Sequence, residues 1–195
     1  MGQLVAQPSL PDRMIRAARL DVSLYNEVEA DTTATNQALT VVVLTAVASG
    51  LGAAIGAAFS GRPGLVIGGL IGAVVLELVG WAVWSYVMFF VGTRMFHGTA
   101  TYGELLRTLG FAYSPGVFNI LRFIPVLGGI IGLVVAIWRI ITSFVAVREA
   151  LDLDSGNTIA VIVVGVIAYL VVVFIVGLVL GAVGLSAAAL TGAFS

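Results

Sequence analysis

Residues 158–185 read TIAVIVVGVIAYLVVVFIVGLVLGAVGL, an apolar run without a single charged side chain. An α-helix needs about 20 predominantly apolar residues to cross the hydrocarbon of a bilayer, and this run exceeds that length. Inside hydrocarbon every backbone N–H and C=O must find a partner within the segment, which a helix provides and an open strand does not. The stretch therefore reads as a transmembrane helix, and the fold class follows from it: all-α, a polytopic transmembrane helix bundle.

Working outward, the turn Ser155-Gly156-Asn157 separates this run from a span over 125–147, which carries Arg139 near its middle and ends in REALDLD at 148–154. A span over 65–93 is interrupted only by Glu77; it ends in Trp81, Trp84, Tyr86, Phe89 and Phe90 before Arg94 and His97 mark the exit to water. Aromatic side chains gather where helices meet headgroups. The span over 38–60 is uncharged, and the breaker sequence GRPG at 61–64 closes a tight hairpin after it. Residues 102–121 hold Glu104, Arg107 and the triplet Ser114-Pro115-Gly116. Proline removes a backbone hydrogen bond and disfavours helix at the residue before it, so this segment reads as a kinked span shielded by its neighbours. That makes five spans, or four if residues 102–121 do not cross.

Composition agrees with lipid as the solvent. The chain is 60% apolar and 10% charged, with a mean hydropathy of +1.13, whereas soluble domains carry about 25% charged residues. All nine basic residues are arginines spread along the chain up to Arg148, without the clustered Lys/Arg face that nucleic-acid binding needs. There is no cysteine, which rules out disulfides, thiolate metal sites and a cysteine nucleophile. No HExxH, phosphate-loop or nucleophile-elbow motif occurs, and His97 is the one histidine. The expectation is a non-enzyme with no cofactor and no metal.

Ahead of the spans, residues 1–8 are expected to be poorly ordered, residues 9–31 to form cytoplasmic amphipathic helices, and residues 32–190 the membrane domain. No cleavable leader is expected, because a long, mixed-charge stretch precedes the apolar blocks. Over 11–22 a helical wheel sets Met14, Ile15, Ala18 and Val22 against Arg13, Arg16 and Arg19. That pattern suits a helix in the membrane interface or one packed on the bundle with its arginines in water. A second short helix over 22–30, capped by Asp21, presents Leu24, Tyr25 and Val28 on one face and Glu27 and Glu29 on the other.

With five spans and the N-terminus inside, Arg13, Arg16, Arg19, Arg94, Arg107 and Arg148 lie inside and Arg62 and Arg122 outside. This fits the positive-inside rule and puts the C-terminus outside. Glu77 and Arg139 fall at matching depths, about 18–20 Å from the outer ends of their spans at about 1.5 Å per residue. Each would otherwise be an isolated charge in hydrocarbon, so they are expected to form an ion pair, either bracing the helices or serving a proton or ion path. Glu104 with Arg107, three residues apart, and Arg148 with Glu149 are expected to be interfacial charges that fix helix depth. Gly52/Gly56, Gly68/Gly72, Gly128/Gly132 and Gly177/Gly181 are GxxxG pairs of the kind that let helices approach closely in lipid, within one copy or between copies.

Three segments together carry a family likeness: DVSLYNEVEAD at 21–31 ahead of Gln37-Ala38, TYGELLRTLGFAYSP at 101–115, and IPVLG at 124–128 followed by Trp138 and VREAL at 147–151. In these the chain resembles the Yip (Ypt-interacting protein) domain family from about Arg13 to Leu185, and within it the prokaryotic branch. The resemblance implies a cytoplasmic N-terminal region, five transmembrane helices and an exterior C-terminus. Eukaryotic members are associated with Rab-type GTPases, trafficking and membrane shaping. This chain departs from them in having no Asp-Leu-Tyr-Gly-Pro motif and a short N-terminal region, so GTPase binding is not carried over.

The functional expectation is a non-catalytic integral membrane protein, acting as a scaffold or accessory subunit through contacts with lipid, another membrane protein or its own copies. The alternatives are a small transporter or channel-like protein using Glu77 and Arg139, and direct bending of the membrane by the arginine-bearing helix.

Overall fold

The computed structural model describes residues 8–59 and 66–192, of which 66–70, 73 and 180–192 are described by backbone alone. The expected disorder of residues 1–8 therefore falls, but for Pro8, outside the described residues, as does the GRPG hairpin. Every regular element among the described residues is helical. Two short helices, α1 (Leu10–Ala18) and α2 (Val22–Ala30), precede α3 (Ala34–Phe59) and α4 (Val66–Met95). Next come α5 (Tyr102–Ala112), a 3₁₀ segment (Ser114–Phe123), α6 (Leu127–Ala150) and α7 (Ser155–Gly192).

The helix ends follow from local chemistry. Ser9 caps α1, with Pro11 in the first turn, and the Asp21 carboxylate caps α2 by accepting from the Ser23 N–H. Thr101 and Glu104 close a capping box on α5. Leu20, His97 and Asp152 each follow a helix end with φ of 63°, 59° and 52°, the left-handed residue that lets the next N–H reach back to an orphan carbonyl. After α6, for example, Leu153 N–H bonds to the Arg148 carbonyl. His97, the lone histidine, is thus a turn residue.

Four helices are long and apolar enough to cross a membrane: Ala34–Phe59, Val74–Met95, Leu127–Ala150 and Ser155–Val179. The third pass is not one of them, because its α-helix stops at Ala112 and the chain continues as 3₁₀; the expected kink in residues 102–121 is a change of helix type. Pro115 has no N–H to give the Phe111 carbonyl, and the Ser114 hydroxyl donates to it instead at 2.6 Å. Gly116 N–H turns to Tyr113 at 2.7 Å, the 3₁₀ pairing. The Ala112 carbonyl, which that N–H would have served in an α-helix, accepts from the Thr142 hydroxyl of α6 at 2.7 Å. The break is tolerated because a neighbouring helix supplies the missing donor.

This segment runs parallel to α3. Gly110 abuts Ala38, Gly116 abuts Thr45, and Asn119 donates to Ser49 at 3.2 Å. It runs antiparallel to α4, whose Trp81 indole donates to the Leu106 carbonyl at 3.1 Å and whose Ala82 carbonyl accepts from Tyr102 at 3.0 Å. It is antiparallel to α6 as well, where Trp138 stacks on Phe118. α7 packs back along α4 through Gly165 against Met88 and Trp84 against Tyr169. The chain thus makes five alternating passes, four as long apolar helices and one as an interior helix with its 3₁₀ extension.

Core and lipid face separate along the helices. Leu24, Tyr25, Val28, Leu105, Leu109 and Val147 are fully buried where α2, α5 and α6 meet, whereas Ile130, Leu133, Ile140, Ile167, Leu170 and Phe174 stand exposed, as residues facing acyl chains would. The aromatic run of α4 divides in the same way. Trp81 is buried and bonded to α5, while Tyr86 and Phe90 are exposed.

The glycine pairs contribute unequally. A Cβ at Gly52 would strike the Asn119 carbonyl, one at Gly128 the Arg122 carbonyl, and one at Gly132 would lie 3.0 Å from the Arg122 Nε, so these three sit at close approaches to the 3₁₀ segment. Gly56 is looser, 3.9 Å from Phe123 Cα, and a Cβ at Gly72 or Gly177 would meet nothing within 4 Å. The side-chain surroundings of Gly68 and Gly181 lie outside the described residues.

Candidate functional site

Two charged assemblies organise the molecule. One fastens the α1–α2 hairpin to the bundle. Arg13, expected on a polar face toward water or headgroups, is 2% exposed and points inward. Its guanidinium donates to Glu27 at 2.8 Å and 3.0 Å, to Gln37 of α3 at 2.8 Å and to Asp31 at 3.1 Å. The wheel misplaces Arg13 because α1 is enclosed on two sides, by the bundle and by acidic α2, and only the first of these is apolar. Arg16 completes the hairpin with 2.8 Å contacts to both Asp21 and Glu27. Arg19, exposed, makes no ion pair among the described residues. Met14 is half-buried and Ile15 is 53% exposed.

Electrostatics follow the contacts. The Ser23 hydroxyl and then Arg16 hold the Asp21 carboxyl down at about 2. Burial alone would raise Glu27, but hydrogen bonds from Arg16 and Arg13 outweigh it and keep the carboxyl below its ordinary value. Asp31 is lowered by the Thr33 hydroxyl, then by Arg13.

Arg107 fastens the hairpin from the bundle side. It is 6% exposed and does not pair with Glu104, contrary to the expected interfacial charge pair. Its Nε donates to the Val28 carbonyl at 2.8 Å and its Nη2 to the Glu29 carbonyl, so it serves the last carbonyls of α2, where a cation also meets the negative end of the helix dipole. Glu104 is occupied by the capping box of its own helix. The Trp138 indole donates to the Ala18 carbonyl at 2.7 Å, fixing the end of α1 against α6. Arg148 and Glu149 contact each other at 2.6 Å at the end of α6.

The second assembly lies among the long helices. Arg139 Nη2 of α6 stands 2.9 Å from Glu77 Oε1 of α4, each side chain 26% exposed. Glu77 Oε1 accepts no aligned hydrogen bond, so the attraction is that of an ion pair without the directional bond. The guanidinium also lies 3.8 Å from the centre of the Tyr113 ring, where the π face supplies further negative potential. Beside it is a 380 Å³ cavity between α4, α6 and α7, lined by Trp84, Tyr113, Arg139, Ser143, Val166 and Tyr169 among others. Sequence reasoning found the two charges by their depth. Tyr113 was missed, because its ring reaches Arg139 only once the break at Pro115 has set the register of the third pass.

Chemically, the hairpin is a charge-locked surface on one end of the bundle, and Glu77, Arg139 and Tyr113 form a group among the long helices with a cavity at its side. Among the described residues no group of three or more His, Asp or Glu side chains could hold a metal ion. No curated protein and no solved structure matches the chain. The Yip1 domain profile matches residues 24–191, from the first buried leucine of α2 to the last turn of α7, and includes both Arg107 and the Glu77–Arg139 pair. This is an integral membrane protein with four candidate membrane-spanning helices, and it belongs to the Yip1 domain family, whose members are in general non-catalytic membrane proteins.

Proposed function

We propose that the chain is a membrane scaffold or accessory subunit that acts through contacts made by its α1–α2 hairpin. The observation that carries this reading is the way the hairpin is built: Arg13, Arg107 and Trp138 spend their bonding capacity on holding it to the bundle, while Ile15, Arg19, Val22, Ser23 and Asn26 are left facing outward. A rigid, partly apolar face of this kind is what a protein or lipid contact uses. We further assign the chain to a prokaryotic cell membrane, on the resemblance of residues 21–31, 101–115 and 124–151 to the prokaryotic branch, with a cytoplasmic N-terminus and an exterior C-terminus on the arginine distribution over five passes.

The test is extraction of the full chain from its native membrane into nanodiscs, followed by mass determination. The expected result is a partner, or a second copy, in fixed stoichiometry that is lost when Asn26 is changed to Arg. Retention of the same assembly by N26R overturns the assignment to this face.

A second reading, a small transporter, draws on the cavity beside Arg139. It requires proteoliposome flux that vanishes on Glu77→Gln. Direct membrane bending is the third; it requires pure liposomes to be tubulated by the chain alone.

A further inference from the structure

Two cavities join at the stacked rings of Phe118 and Trp138, whose centroids are 5.8 Å apart and whose planes differ by 13°. One, of 330 Å³, lies between Met14, Ile15, Ala18 and Arg19 of α1 on one side and Phe118 and Trp138 on the other. The other, of 240 Å³, continues along the 3₁₀ segment and α6 past Leu121, Val134, Ile131 and Ile130. Trp138 and Phe118 line both, so the two adjoin at these rings and together make a trough flanking about 12 Å of α6 from Trp138 to Ile130, at about 1.5 Å per residue. The hydrogen bond from Trp138 to the Ala18 carbonyl fixes the α1 wall in place.

The trough is apolar along its length and carries a cation at its rim. Of the three arginines on α1 and its C-cap, Arg13 and Arg16 are neutralised by Glu27, Asp31 and Asp21, whereas the C-cap Arg19 is exposed and has no ion pair among the described residues. A hydrocarbon slot with one uncompensated positive charge at its edge complements an amphiphile with an aliphatic tail and an anionic head. A small soluble anion would leave the apolar walls uncovered. We propose that the trough binds one acyl chain of an anionic phospholipid, with the headgroup phosphate on Arg19. The tail gains little over its place among other tails, because lipid is as apolar as the trough. Selectivity therefore comes from shape and from the net negative charge that Arg19 meets in an anionic headgroup, since phosphatidylcholine carries the same phosphate but neutralises it with its own ammonium. The proposal needs only that the chain is embedded in a bilayer, and its failure leaves the hairpin reading standing.

The test is native mass spectrometry of the full chain released from nanodiscs of equimolar phosphatidylglycerol and phosphatidylcholine. The expected result is one retained lipid with about fivefold preference for phosphatidylglycerol, the factor that corresponds to about 1 kcal/mol for one basic side chain near an anionic headgroup. Arg19→Gln is expected to abolish the preference, and Ala18→Leu, which fills the trough, to abolish retention of either lipid. Circular dichroism on both variants checks that the helices are intact. Equal retention of the two lipids by the unaltered chain, an unchanged preference in R19Q, or unchanged retention in a folded A18L each overturns the proposal.

Discussion

The hydroxyl of Thr142 on α6 donates to the carbonyl of Ala112 at 2.7 Å, one residue before the third pass changes from α-helix to 3₁₀. It is the tertiary half of the repair that Pro115 requires, Ser114 supplying the local half. Thr142→Val keeps the shape and removes the donor, leaving a fully buried carbonyl unpaired. Such interhelical bonds in membranes contribute about 0.6 kcal/mol on average and up to about 1.7 kcal/mol, and this one should lie toward the upper end because its acceptor has lost its helical partner. Thr142→Ser should retain most of the stability. Equal unfolding midpoints for the valine and serine variants in a detergent titration would contradict this role.

A double-mutant cycle on Glu77 and Arg139 separates bracing from chemistry. Removing one partner leaves a lone charge between helices, which for buried pairs costs about 3–5 kcal/mol; here the figure should fall below that range, since both side chains are 26% exposed. Glu77→Gln and Arg139→Gln should each destabilise the bundle, with E77Q the milder because the Tyr113 ring still faces the guanidinium. The double variant should recover much of the loss. Additive effects would show that the pair is not coupled.

Glycine positions can be ranked by what surrounds them. Glycine to alanine in an exposed helix ordinarily stabilises by about 0.5–1 kcal/mol. Gly72→Ala and Gly177→Ala should therefore be neutral or mildly stabilising, since each Cβ would enter open space. Gly52→Ala and Gly110→Ala should be strongly destabilising, because the new atom meets the Asn119 backbone or Ala38. Thermal unfolding of the four variants in one detergent gives the order directly. A G52A chain as stable as G72A would mean that α3 and the 3₁₀ segment do not pack this closely.

These contrasts also show where local pattern carries information and where it stops. Apolar length, broken by a single charge in each of two spans, placed the four long helices, because in hydrocarbon a long apolar run has one backbone solution. The depths of Glu77 and Arg139 needed only residue counting. Beyond that one pair, local pattern gave no access to the mutual register of the passes. Spacing at i, i+4 selected Gly72 and Gly177, where a Cβ would meet nothing within 4 Å, alongside the closely packed Gly52 and Gly128, and passed over Gly110 and Gly116, whose partners Ala38 and Thr45 sit on a helix more than 60 residues away. Arg13 was misread for a related reason. A helical wheel separates apolar from charged faces, and in α1 the charged face is itself an interior surface, covered by the carboxylates of α2.

Docking of the hairpin should depend on pH through Glu29. Burial pushes its carboxyl up to about 7 from an ordinary 4.5; the neighbouring charges Asp152, Glu104 and Glu149 act in the same direction and Arg107 opposes them. A carboxyl raised by docking favours the docked state while it is protonated. That contribution is fully present below the ordinary value, declines as pH rises, and is gone above about 7. Glu27, Asp21 and Asp31 are shifted the opposite way, and their contributions fade only at lower pH. Hydrogen exchange along α2 should therefore accelerate, after correction for the intrinsic rate, between about pH 5 and about pH 8. Glu29→Gln should remove that dependence and leave α2 protected throughout, because the amide carries no charge to desolvate. Glu104→Gln should shift the transition to lower pH by removing one of the repelling carboxylates. Uniform α2 protection across the range in the unaltered chain would show that Glu29 is better solvated than its neighbours imply.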